Sequence, residues 1–181
     1  MSEIAQIPAE NLVFLDEAGV HLAMTRPCAR APIGKRASCY RPAARGGNIS
    51  LVGAVRLSGV SALYPYDGAI DGDKFLSYLD EHLLPVLRPG DVLVMDNLRV
   101  HHIAAVKEKL TPFGVRALYL PPYSPELNPI EETWSLVKRV FQKLEARNIG
   151  AFIDALNVAV SAVTESVLKG VFQHAGYGEF K

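Results

Sequence analysis

Three acids in this sequence could do chemistry together. Asp16 closes the apolar run NLVFLD, Asp96 closes the run DVLVMD, and Glu131 lies in the first turn of a helix that follows a proline-rich loop. An acid ending a strand as apolar as VLVM matters, because ligands of α/β sheets bind outside the carboxyl ends of the strands. Three carboxylates at one such edge repel one another unless cations sit among them. Magnesium suits that role. It is a hard ion held through oxygen by a few carboxylates, with water and substrate phosphates completing its shell. Two such ions roughly 4 Å apart activate the attacking oxygen and stabilise the leaving one in phosphodiester cleavage.

Each acid also has a purely structural reading. Asp16 stands before Glu-Ala-Gly and suits the opening of a turn between strands. Asp96-Asn97 suits an ordinary strand-ending turn. Asn128, Pro129 and Glu131 fit the N-cap, N1 and N3 positions of a helix, where a glutamate completes a capping box. A carboxylate in that position still has lone pairs free for a metal. Glu132 is an equally acidic neighbour, and only spacing separates the two.

The elements that must position these acids follow from the hydropathy pattern. NLVFLD predicts a first strand over residues 11–16, and a further strand is possible around residues 20–24. ISLVGAVRL (49–57) and VSALYPY (60–66), separated by Ser58-Gly59, predict a hairpin. From Ile70 to Val86 the apolar residues take helical spacing after Asp71 and Asp73, and Pro85 distorts or ends that helix. VLVM then reads as a strand buried on both faces. HHIAAVKEKL (101–110) predicts a helix closed by Pro112 and Gly114, and VRALYL (115–120) a fifth strand. The last third reads as two helices, over residues 130–146 and 151–172. Three early strands followed by alternating helix and strand predict an α/β fold, a mixed five-stranded sheet flanked by helices.

Composition bounds the reading. The chain has 181 residues, enough for one domain with a substantial core, and 49% hydrophobic against 21% charged residues marks a folded globular protein. Nineteen Lys and Arg balance nineteen Asp and Glu, which argues against a generically basic nucleic-acid binder. The zero is a cancellation, however. Residues 26–48 hold six basic side chains (Arg26, Arg30, Lys35, Arg36, Arg41, Arg45) and no acid, whereas residues 67–91 hold six acids against Lys74 and Arg88. The Gly- and Pro-rich basic stretch suits a loop laid along a duplex, with Arg30, Lys35 and Arg36 on phosphate; otherwise it is a solvated loop. No apolar run approaches the roughly 18 residues that a membrane span needs, and the start lacks the pattern of a signal peptide. Cys28 and Cys39 fit neither a disulfide framework nor a zinc knuckle. Motifs for a serine nucleophile, a zinc protease or a phosphate-binding loop are absent. The expectation is a cytoplasmic, nucleoid-associated protein with no membrane partner.

Three stretches, LDEAGV, VLVMDNLRVHH and LPPYSPELNPIEETWSLVKR, resemble the motifs of DDE transposases of the mariner-like superfamily, in its bacterial insertion-sequence branch. The 34 residues between Asp96 and Glu131 match the spacing of that branch, and HAGY (174–177) is similar to its usual ending. The resemblance covers about residues 11–177. It implies a ribonuclease H-like fold in which Asp16, Asp96 and Glu131 hold two Mg²⁺ or Mn²⁺ ions, Asp16 bridging both. It implies DNA transposition by cut and paste, with insertion at TA dinucleotides. Water first cleaves the transposon end and frees a 3′-hydroxyl, which then attacks the target DNA. The active complex would be a homodimer on DNA.

The same resemblance gives supporting roles. Asn97 and His101 match its Asp-Asn-x-x-x-His pattern, with His101 reaching phosphate or orienting an acid; His102 reads equally as a solvent-facing residue. Tyr123 and Ser124 could touch DNA, though for a loop tyrosine packing on Pro122 is the simpler role. Trp134 joins Ile130, Val137 and Phe141 in an apolar stripe and reads as core. Lys138 could reach phosphate, or be a solvated helix residue like Arg139. Relatives carry an N-terminal helix-turn-helix region that reads transposon ends. The expectation here is a single catalytic domain over residues 1–181 without it, partnered by a separate DNA-recognition polypeptide or a fused reading frame. A different class of reading is a non-enzymatic or degenerate DNA-binding and assembly remnant whose acids serve only as turns and caps. A junction resolvase of related fold is a third, disfavoured by the PPYSPELNPIE loop.

Overall fold

The computed structural model describes residues 3–38, 47–97 and 104–178. Five strands form one mixed sheet: β1 (Leu12–His21), β2 (Asn48–Arg56), β3 (Gly59–Asp67), β4 (Val92–Met95) and β5 (Arg116–Tyr119), in spatial order β3-β2-β1-β4-β5. β1, β2 and β3 pair antiparallel, and β4 and β5 run parallel to β1. Among the described residues the α-helices are α1 (Gly72–Tyr78), α2 (Ala104–Leu110), α3 (Pro129–Leu144), α4 (Ile149–Ala162) and α5 (Glu165–His174). This is the expected mixed five-stranded sheet flanked by helices.

The period-2 alternation of β1 builds two cores. Leu12, Phe14, Ala18 and Val20 face α3, α4 and α5, where they pack with Trp134, Phe141, Phe152 and Phe172. Val13 and Leu15 face the other side, with Phe75, Leu79 and Leu83 after β3 and with Val106 and Leu110 of α2. All four residues of β4 are buried, as its unbroken apolar run requires of a strand covered on both faces.

Three boundaries differ from the sequence reading. β1 does not stop at Asp16 but continues to His21, so no separate strand occupies residues 20–24. The apolar alternation resumes at Ala18 and Val20, and β2 supplies partners as far as His21↔Asn48. A buried acid in mid-strand mimics an end. The helix expected over residues 70–86 is α1, capped by Asp71 accepting from Lys74, followed by a wider π turn over Leu79–Leu83 and a short 3₁₀ turn at Leu84–Val86. Pro85 has no N–H to continue the ladder, and its ring displaces the carbonyl a turn earlier. The single helix expected over 151–172 is two, bent by 70°. Val163 leaves the helical region, and Thr164 caps α5 by accepting from Val167 at 3.3 Å. Among the described residues no single helix is long and apolar enough to cross a membrane.

Candidate active site

Strand register brings the first two acids together. Leu12, Phe14 and Asp16 point to one face of β1, and β4 runs beside it with Phe14↔Val94 and Leu15↔Met95. Asp96 follows Met95, the last paired residue of β4, and its charge reaches Asp16. On the other flank Asp16 pairs with Gly53 of β2. A side chain at Gly53 would put its Cβ 2.7 Å from Cη2 of Trp134. The bare backbone there lets α3 approach the sheet closely, with Trp134 buried against it one turn after Glu131.

The electrostatics report the same convergence. Asp16 is only 6% exposed. Burial pushes its carboxyl up from the ordinary 3.8 to about 7; the charges of Glu131, Asp96 and Glu17 act in the same direction, against a backbone hydrogen bond from Glu17 that lowers it. Burial disfavours the charged form, and nearby like charges add to the cost. Asp96 and Glu131 share the wall of a cleft of about 500 Å³ with Asn97, Asn128 and the loop Pro121–Pro125; Asp16 is not part of its lining.

The proline loop enters α3 as the sequence suggests, with Asn128 at the N-cap and Pro129 at N1. The capping box is not formed from the Asn128 side, because that side chain makes no capping hydrogen bond. Its Oδ1 is buried with no hydrogen-bond partner, and the residue is among those lining the cleft. Glu131 and Glu132 differ in their surroundings: Glu132 Oε1 pairs with Nδ1 of His174, whereas the charge of Glu131 reaches Asp16.

The other expected residues divide. Tyr123 does not pack on Pro122. It is 99% exposed, with left-handed backbone (φ 58°) at the rim of the cleft. That conformation is uncommon for a side chain of this size. Asn97 is exposed on the cleft wall. Lys138 is half-buried on α3, seven residues or about two turns after Glu131, hence on the same side of the helix. Arg30, Lys35 and Arg36 are all exposed in the loop that leaves β1 after His21. His101, His102, Arg41 and Arg45 lie outside the described residues. Composition did not flag Arg147, whose guanidinium donates to the carbonyls of Leu22 and Met24, both at 3.0 Å, and fastens the start of the basic loop to the α3–α4 corner. Among the described residues no three His, Cys, Asp or Glu side chains are grouped closely enough to hold a metal by themselves.

The chain has recognisable relatives. The Tcb2 transposase of Caenorhabditis briggsae is 28% identical over 171 residues, 87% of this chain and 62% of that protein. Solved structures share the fold, two of Mos1 among them. A pre-cleavage Mos1 transpososome superposes with a TM-score of 0.76 at 15% identity, over 96% of this chain and 58% of that one. The catalytic domain of Mos1 mariner transposase gives 0.67 at 15% identity, over 94% and 85%. This is the ribonuclease H-like arrangement expected from the motifs. The chain thus spans about three fifths of the length of Tcb2. The sequence pattern described as DDE superfamily endonuclease matches residues 11–153, most of the chain, and the protein belongs to that family.

Proposed function

We propose that this chain is the catalytic domain of a mariner-like DDE transposase of the bacterial insertion-sequence branch, acting on nucleoid DNA. It cleaves transposon ends and joins the freed 3′-hydroxyl to target DNA. The observation that carries this is the position of Asp16: an acid in the middle of the central strand, buried, and within the field of Asp96 and Glu131. A turn or a cap would explain none of those features.

Asp16, Asp96 and Glu131 are assigned as the holders of two Mg²⁺ or Mn²⁺ ions. The donor set fits. It is all hard oxygen, and its charges repel without a cation; Asn128, whose buried Oδ1 has no hydrogen-bond partner, is among the residues of the same cleft. An open arrangement rather than a three-ligand cage is what an ion that keeps water and phosphate oxygens requires. Such ions, when bound, supply activation of the attacking oxygen and stabilisation of the leaving one. Mos1 has been solved as a paired-end complex with Mn and with Mg, which supports this reading.

The chain's own residues supply position. The cleft wall of Asp96, Asn97 and Glu131 receives the scissile phosphodiester, Tyr123 at the rim lies against DNA, and Lys138 and His101 take phosphate. Arg30, Lys35 and Arg36 track the backbone of the duplex. Recognition of the end sequences is assigned to a helix-turn-helix unit outside residues 11–177, and the two-ended reaction to a homodimer. The test is Mg²⁺- or Mn²⁺-dependent cleavage of end-bearing DNA by wild type and Asp96→Ala. Cleavage by wild type alone is expected, and equal behaviour of the two would refute the assignment.

A further inference from the structure

The last turn of α5 has a purpose beyond ending a helix. Ala175 is its C-cap, and Gly176 takes left-handed backbone (φ 88°). The N–H of Gly176 bonds Gln173 O at 3.0 Å and that of Tyr177 bonds Phe172 O at 2.8 Å. This is the doubled bonding of a Schellman ending, for which glycine is the favoured residue. It folds the chain back, so that Tyr177 is buried with its ring 4.9 Å from Phe14, two residues before Asp16 on the same face of β1. The phenol donates to the carbonyl of Leu127 at 2.8 Å, on the peptide that leads into the α3 N-cap. Burial pushes that phenol up to about 12, so it remains a donor throughout the neutral range. Three residues before Tyr177, His174 engages Glu132.

One C-terminal segment therefore touches the strand of Asp16, the loop before Glu131 and the acid beside Glu131. It lies outside residues 11–153, the stretch that the family pattern matches. We propose that His174 and Tyr177 are positioning residues for the acid triad: Tyr177 fixes the start of α3 against β1, and His174 draws Glu132 aside so that Glu131 alone completes the site. The inference rests on the metal-holding role proposed above for Asp16, Asp96 and Glu131.

The test is Mn²⁺ binding by the whole chain without DNA, followed by titration and electron paramagnetic resonance, so it does not depend on cleavage. Tyr177→Phe keeps the ring on Phe14 and loses one hydrogen bond. It should stay folded by circular dichroism and bind Mn²⁺ up to about tenfold more weakly, the order of one such bond. His174→Gln should also weaken binding, and adding Glu132→Gln to it should restore the wild-type affinity, because the competing acid is gone. Ser61→Ala is the control. It loses a comparable bond to Arg56 at the far end of the sheet and should leave Mn²⁺ binding unchanged. Wild-type affinity in both Tyr177→Phe and His174→Gln would overturn the positioning role while leaving the metal site standing. An equal loss in Ser61→Ala would overturn it too, as a mere effect of stability. Failure of wild type itself to bind Mn²⁺ would overturn the metal-holding role and this inference together.

Discussion

Replacing Asp16 by asparagine should make the metal-free protein more stable, and the gain should depend on pH. In the folded chain burial and the neighbouring acids raise the carboxyl from 3.8 to about 7. Between those values the folded state holds a proton that the unfolded state has released, so stability falls as pH rises. Below about pH 4 both states are protonated and the penalty is absent. Above about pH 7 both are ionised and it is complete. Three powers of ten in proton affinity, at ~1.4 kcal/mol each, put it at about 4 kcal/mol. An asparagine has nearly the same shape and never ionises. With EDTA present, Asp16→Asn should therefore gain up to about 4 kcal/mol at pH 8 in urea denaturation, or roughly 10 °C in melting temperature. The gain should shrink to below about 1 kcal/mol near pH 4. Mg²⁺ at pH 8 should raise the melting temperature of wild type and not of the variant. A variant no more stable than wild type at pH 8 in EDTA would show that Asp16 does not sit ionised and confined among like charges.

Other perturbations test the scaffold and the DNA surface. Gly53→Ala brings a methyl to 2.7 Å from the Trp134 ring and 2.9 Å from Leu63; overpacking of this kind should cost about 1–3 kcal/mol in urea denaturation and reduce cleavage by displacing α3. Asp91→Ala strands the buried Arg56 guanidinium, now paired with it at 2.7 Å, and should cost about 3–5 kcal/mol; replacing both partners with apolar residues should cost less. Neutralising Arg30, Lys35 and Arg36 together should weaken DNA binding and flatten its dependence on salt, by roughly 0.9 in logarithmic slope for each phosphate that no longer meets a cation. An unchanged slope would leave the basic loop as solvated surface.

Much of this was legible in the residues, and what was not has physical reasons. VLVM, the Ser58-Gly59 hairpin and the entry Asn128-Pro129 could be read locally, since each is decided by a few neighbouring side chains. The end of β1 could not, because its last residues are held by β2, more than twenty residues away in sequence, and because a buried carboxylate looks like a turn when only polarity is read. The break between α4 and α5 carried a signal, threonine followed by glutamate, but the apolar residues around it kept helical spacing and concealed it. Tyr123 shows the converse failure: a proline neighbour suggested packing, yet the backbone turns the ring outward. His174 and Tyr177 stood in a motif whose physical content, a glycine that reverses the chain and a phenol that reaches Leu127, exists only once α5 lies beside α3.

The mid-strand position of Asp16 also explains how it comes within the electrostatic reach of Asp96 and Glu131, acids from distant parts of the chain. Side chains alternate along a strand, so a shift of one residue between β1 and β4 would send Asp16 to the α1–α2 side and leave Asp96 behind. That slip is opposed by the apolar pattern itself: it would carry Phe14 away from Phe172 and Tyr177, from which its ring lies 5.3 and 4.9 Å, and bury it among residues already filled by Val13 and Leu15. The register is thus fixed by hydrophobic packing on both faces, while the charge at position 16 works against the fold until something neutralises it. Packing holds the Asp16 carboxyl where burial and the neighbouring acids disfavour its charge. The gain in stability expected of Asp16→Asn in EDTA and the rise expected of wild type with Mg²⁺ therefore share one origin, the ionised carboxylate. Protonation removes both the penalty and the ligand, so the two effects should fade together as pH falls through about 7 toward 4. A rise with Mg²⁺ that persisted undiminished at pH 4 would place the ion somewhere other than Asp16.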